Sequence, residues 1–154
     1  MALSSSLLGM LQKLPVFQDL SPTQLKQLFG ICLQENYEKG ASLCKAGEKS
    51  DRMFVLLSGE VAIYTPGNVL LVREKAITTI GEAGLLTGEP RSASVSTESP
   101  VKALLIRRGS LSKLMQEDPA LATRLYRNMM VMLRQKLIAA DRRIEELSRN
   151  RGKG

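Results

Sequence analysis

The chain has 154 residues, enough for one domain with a single core and an appended element, and its 44% apolar and 24% charged content is that of a folded globular protein rather than a disordered one. With no histidine, Ser-His-Asp and Cys-His nucleophile schemes and the usual zinc ligand sets are excluded, and two cysteines are too few for a disulfide framework. The formal charge of +7 would suggest nucleic acid or an anionic membrane if concentrated, and Arg142, Arg143, Arg149, Arg151 and Lys153 gather much of it near the C-terminal end.

Met1 to Leu14 is apolar, but Lys13 follows the apolar run instead of preceding it, which is not the pattern of a signal peptide. No apolar run approaches the roughly 20 residues that span a bilayer, and the expected location is cytoplasmic. Leu7, Leu8, Leu11 and Leu14 share one helical face. Ser21-Pro22-Thr23-Gln24 then marks a helix start: Ser21 caps, Pro22 suits the first helical position, and Gln24 reaches back to complete a capping box. Leu25, Leu28 and Phe29 form the buried face of this second helix. Residues 1–35 are therefore expected to be helical.

From 36 to 107 the pattern changes to short strands between glycine-marked turns. Met53 to Leu57, Val61 to Tyr64, Val69 to Val72 and Val101 to Ile106 have strand length and composition, and Pro66-Gly67 suggests a type II turn. Many short strands at close intervals imply a sandwich, barrel or roll. Residues 108–154 return to helix. Ser110 begins a short one, and Asp118-Pro119 ends it and starts a long one. Along that helix Tyr126, Met130, Leu133, Leu137, Ala140, Ile144 and Leu147 alternate in steps of four and three, a heptad seam. A second stripe of Leu121, Leu125, Met129 and Met132 exists only in the first half, and Cys44 with Met129, Met130 and Met132 is assigned to the core.

The stretch Ile80-Gly81-Glu82-Ala83-Gly84-Leu85-Leu86-Thr87-Gly88-Glu89-Pro90-Arg91-Ser92-Ala93 carries an acid after a glycine and an arginine at the start of a strand-like run. It offers a hydroxyl-binding carboxylate and a phosphate-binding guanidinium at the two ends of a compact loop. It resembles the phosphate-binding cassette of cyclic-nucleotide-binding domains. Lys39-Gly40, Gly47-Glu48, Phe54-Val55-Leu56 and Ser58-Gly59-Glu60-Val61 resemble the first half of the same family, so the likeness covers nearly the whole chain. It implies an α+β, mainly β fold: a cyclic-nucleotide-binding β-roll with N-terminal helices and two C-terminal helices, the last one long, in a single domain over 1–154.

The resemblance places Glu82 on a ribose 2′-hydroxyl and Arg91 on the cyclic phosphate, with Ser92 adding its hydroxyl and backbone N–H. Gly81 permits close backbone approach, Ala83 and Gly84 open a short helix toward the ligand, and Ala93 completes the motif. Ile63, Leu71 and Val72 would line the base and sugar pocket by position. Arg134 and Lys136 are the polar candidates for a base cap on the long helix. Two departures stand out: Lys75-Ala76-Ile77-Thr78-Thr79 replaces the usual Pro-Gly or Gly-Asp turn before the cassette, and Ala83 replaces a larger aliphatic residue.

The expected function is a sensor that binds cAMP or cGMP without catalysis, requires no metal or other cofactor, dimerises through its last helix and signals to a separate protein effector. No DNA-binding domain is expected after the roll in this chain. Two other readings remain, a roll kept as a protein-interaction module without ligand, and a nucleic-acid or membrane-surface binder working through the basic C-terminal tail. Asp141, Glu145 and Glu146 interrupt that tail, and Glu145 and Arg149 are spaced for an i,i+4 pair, which favours a solvated helix face.

Overall fold

The computed structural model describes residues 4–153; Met1 to Leu3 of the apolar start, and Gly154, lie outside them. The N-terminal part folds as α1 (Ser5–Gln12), a single 3-10 turn (Pro15–Phe17) and α2 (Pro22–Gly30). The predicted capping box at Ser21 is formed: Gln24 N–H donates to Ser21 Oγ at 3.1 Å and Ser21 N–H donates to Gln24 Oε1 at 3.0 Å.

Eight strands follow: β1 (Leu33–Tyr37), β2 (Ser42–Cys44), β3 (Arg52–Ser58), β4 (Glu60–Tyr64), β5 (Leu70–Lys75), β6 (Thr78–Ile80), β7 (Ser94–Thr97) and β8 (Val101–Arg107). A short helix, α3 (Glu82–Thr87), interrupts them after β6. The strands form two four-stranded antiparallel sheets, in the orders β1-β8-β3-β6 and β2-β7-β4-β5. The roll thus begins at Leu33, three residues before the boundary expected at 36, because β1 is specified by its antiparallel pairing with β8 and not by an apolar pattern of its own.

The first sheet is covered on both faces, which explains why β3 and β8 read as continuous apolar runs. Met53 and Val55 pack with Leu104 and Ile106 into a core under the helices, together with Leu11, Phe17, Leu25 and Leu28. The alternate residues Phe54, Leu56, Ala103 and Leu105 pack into a second core inside the roll, with Val61, Ile80 and Val95. The turn between β4 and β5 differs from the type II expectation. Asn68, not Gly67, takes the left-handed conformation at φ 64°, and Asn68 N–H donates to Thr65 O at 2.9 Å. A left-handed residue closing a three-residue loop is the common alternative for hairpins.

After β8 the chain enters α4 (Arg108–Glu117) directly, two residues earlier than Ser110, and then α5 (Pro119–Arg151). Asp118 caps α5, accepting from Leu121 N–H at 3.1 Å, and its other oxygen accepts from Gln24 Nε2 at 3.3 Å, which joins the starts of α2 and α5. In the first half of α5, Leu121, Leu125 and Met129 are buried. Asn128 is buried beside them and donates through Nδ2 to Val16 O at 2.9 Å and Gln18 O at 2.8 Å. Met130 is 71% exposed and so does not belong to the core; it lies on the seam with Tyr126, Leu133, Leu137, Ile144 and Leu147, all exposed. At 33 residues α5 makes helix longer in total than strand, although the roll organises both cores.

Candidate ligand-binding site

The site is assembled where β6 ends. Gly81 adopts φ 84°, a left-handed conformation that only glycine enters without strain, and it turns the chain from β6 into α3. Its missing Cβ has a second consequence: an added carbon there would collide with the Arg91 guanidinium. Gly84 is needed in the same way, since a Cβ would strike the Ser50 side chain beneath α3. Leu85 anchors α3 to the core under the helices and Glu82 opens it, with a carboxylate that is almost entirely buried.

Arg91 is fixed through its backbone. Its N–H donates to Glu48 O and its carbonyl accepts from Gly47 N–H, both at 2.8 Å, so the turn between β2 and β3 holds it in place. Its side chain is 7% exposed. The guanidinium donates to Gly81 O at 3.4 Å and to Arg52 O, but it makes no ion pair among the described residues, and its Nε has no partner. A buried cation with only carbonyls around it carries an uncompensated desolvation cost.

Gly81, Glu82, Ala83, Gly84, Arg91, Ser92 and Ala93 all line one cavity of about 360 Å³, within the roughly 300–1,000 Å³ usual for small-molecule sites. Ile63 lines it as well. Leu71 and Val72 do not: both are 44% exposed on β5, at the edge of the second sheet. Val72 pairs with Ile63 but lies one strand further out, and Leu71 is the unpaired residue at a register irregularity between Val72 and Leu70. Of the two base-cap candidates, Arg134 is exposed and away from the cavity, while Lys136 reaches it and places Nζ 3.3 Å from Glu82 Oε1.

Ser50, Glu74, Thr78, Thr79 and Glu89 line the cavity beyond what the sequence led us to expect, and Met132, packed against the core as expected, also lines it one turn before Lys136. Only Met132 had a helical-spacing signal; the others come from loops and strands with no periodic mark. Cys44 lies at the cavity wall, and burial raises its thiol pKa above the ordinary value. Both cysteines are free.

A model of the cyclic nucleotide-binding domain family matches residues 34–118, which takes in the roll, the cassette and α4. The chain is 34% identical over 108 residues to a cyclic nucleotide-gated potassium channel from Mesorhizobium japonicum, a match covering 70% of this chain and 30% of the channel. Among solved structures, the N-terminal domain of a transcriptional regulator from Streptomyces coelicolor superposes with a TM-score of 0.72 at 27% identity, covering 82% of this chain and 93% of that one. The Thermus thermophilus catabolite activator protein gives a TM-score of 0.72 at 22% identity over 87% of this chain and 63% of that one, a likeness of fold. The chain spans less than a third of the length of the first curated relatives it matches, at 30%, 22% and 30%. With its two-sheet roll, helices at both ends and the cassette in place between β6 and β7, this chain belongs to the cyclic nucleotide-binding domain family.

Proposed function

We propose that the chain is a sensor domain that binds a 3′,5′-cyclic purine nucleotide, cAMP or cGMP, in the cassette cavity and performs no chemistry on it. One observation carries this reading. Among the described residues, the two buried side-chain polar atoms without a partner are Arg91 Nε and Ser50 Oγ, and both residues line this same cavity. Buried polar groups are normally satisfied, so unpaired ones gathered at one cavity mark the place where a ligand completes the bonding. A cyclic phosphate monoanion would offset the charge of Arg91, and its planar fork suits two phosphate oxygens. Glu82, opening α3 at the same cavity, would accept from the ribose 2′-hydroxyl.

The output element is α5. Its first half is packed under the roll, Met132 and Lys136 line the cavity, and beyond them the apolar seam is exposed. That seam supports a parallel homodimer, through which a nucleotide-dependent change would reach a protein effector in the cytoplasm. No described helix is long and apolar enough to cross a membrane.

The ligand-free interaction module is favoured by a different observation: both key side chains already have internal partners, Glu82 with Lys136 and Arg91 with backbone carbonyls. Binding measurements on Arg91→Ala and Glu82→Ala separate the two readings. Losing a buried partner of a phosphate typically costs about 2–5 kcal/mol, or roughly 30- to several-thousand-fold in Kd. Losing Glu82 removes one charged hydrogen bond, about 1.5–3 kcal/mol. Wild-type binding that both substitutions leave intact would place the nucleotide elsewhere and overturn the assignment.

A further inference from the structure

Glu82 is nearly enclosed, its side chain 4% exposed, yet one partner reaches it from a distant part of the chain. Lys136 lies on the part of α5 that has emerged from the core, its side chain 66% exposed, and it sends Nζ to Glu82 Oε1 at 3.3 Å. The bond engages one oxygen only. Among the described residues Oε2 has no hydrogen-bond partner and is not a buried unpartnered atom, and Glu82 lines the cavity.

A carboxylate held by one oxygen with the other free is a directed acceptor. Its torsion is fixed, and its remaining lone pairs face whatever enters the cavity. An unheld carboxylate at the same position would be free to rotate away from the cavity. Within the nucleotide-binding reading above, on which this inference rests, we infer that Lys136 is a positioning residue: it aims Glu82 at the 2′-hydroxyl and thereby sets how strongly the site selects ribose over deoxyribose. It also makes the recognition of the sugar depend on where α5 lies, since the ammonium that orients the acceptor is carried by that helix.

The test is a cycle between protein and ligand. Calorimetry would compare a 3′,5′-cyclic ribonucleotide and its 2′-deoxy analogue on the wild type, Lys136→Met and Lys136→Arg. Methionine keeps the aliphatic stem on an exposed position and removes only the charge and the donor. The expected result is that Lys136→Met weakens the ribonucleotide about tenfold, as neighbouring groups in one hydrogen-bond network couple, and leaves the deoxy analogue close to its wild-type Kd. The ribose preference then collapses, and Lys136→Arg restores it. A ribose preference unchanged in Lys136→Met overturns the assignment, as does tighter ribonucleotide binding, which would make Lys136 a competitor for Glu82. Either result leaves the nucleotide-binding reading standing. A wild type that binds neither ligand overturns that reading and the role of Lys136 with it.

Discussion

Asn128 ties the first half of α5 to the N-terminal segment, and its replacement gives a stability test independent of any ligand. Its Nδ2 donates to Val16 O and Gln18 O, and the residue is 8% exposed. In Asn128→Ala both carbonyls lose their donor. An unsatisfied buried group costs about 1–3 kcal/mol; water entering the space left behind offsets part of this, so the loss should be about 2–3 kcal/mol. For a domain of this size each kcal/mol lowers the Tm by about 2–4 °C, so the melt should fall by roughly 4–12 °C. Asn128→Asp is the sharper probe, because a carboxylate oxygen in place of Nδ2 would set an acceptor against two carbonyl oxygens. It should be less stable than the alanine variant at neutral pH and recover in acid, where the protonated carboxyl donates one bond. Urea denaturation followed by circular dichroism measures both. An alanine variant within about 0.5 kcal/mol of wild type, the range of an inconsequential surface change, would refute the reasoning. So would an aspartate variant equal to it at neutral pH.

Alkaline stability follows from two groups. Burial pushes the Cys32 thiol from 9.0 up to about 12, and burial, then the bond to Glu35, pushes the Tyr37 phenol from 10.0 up to about 12. Both folded values are raised, so their contribution is complete below pH 9 and is lost as the pH rises from there toward 12. The urea midpoint should fall over that window, and a midpoint that stays flat or rises would contradict it. Ile144→Glu places a charge in the exposed seam of α5 and should convert a dimer to a monomer in light scattering. A wild type that is monomeric with and without nucleotide would rule the dimer out.

What the sequence revealed was mostly local. The Ser21 capping box spans four residues, and both its bonds are formed. The cassette also sits within a short stretch, so its seven residues could be placed before the fold was known, and they line one cavity. The apolar run Met53 to Leu57 announced a strand, but not that its alternate residues serve two different cores. Strand β1, Leu-Gln-Glu-Asn-Tyr, has no apolar periodicity, and its existence depends on β8 about seventy residues later. The same holds for Asn128 with Val16, for Lys136 with Glu82, and for Ser50 beneath Gly84: each contact joins elements whose approach is set by the whole fold. Leu71 and Val72 were assigned to the pocket by their position along β5, but β5 is the edge strand of its sheet, a property of topology rather than of composition.

On the function proposed here, the unpaired groups at the cassette cavity would be completed by a cyclic nucleotide. Titration calorimetry of the wild-type chain with cAMP and with cGMP tests it most directly. Saturable one-site binding of at least one of them, lost in Arg91→Ala, is the predicted result. No heat and no thermal shift with either nucleotide at millimolar concentration would contradict it.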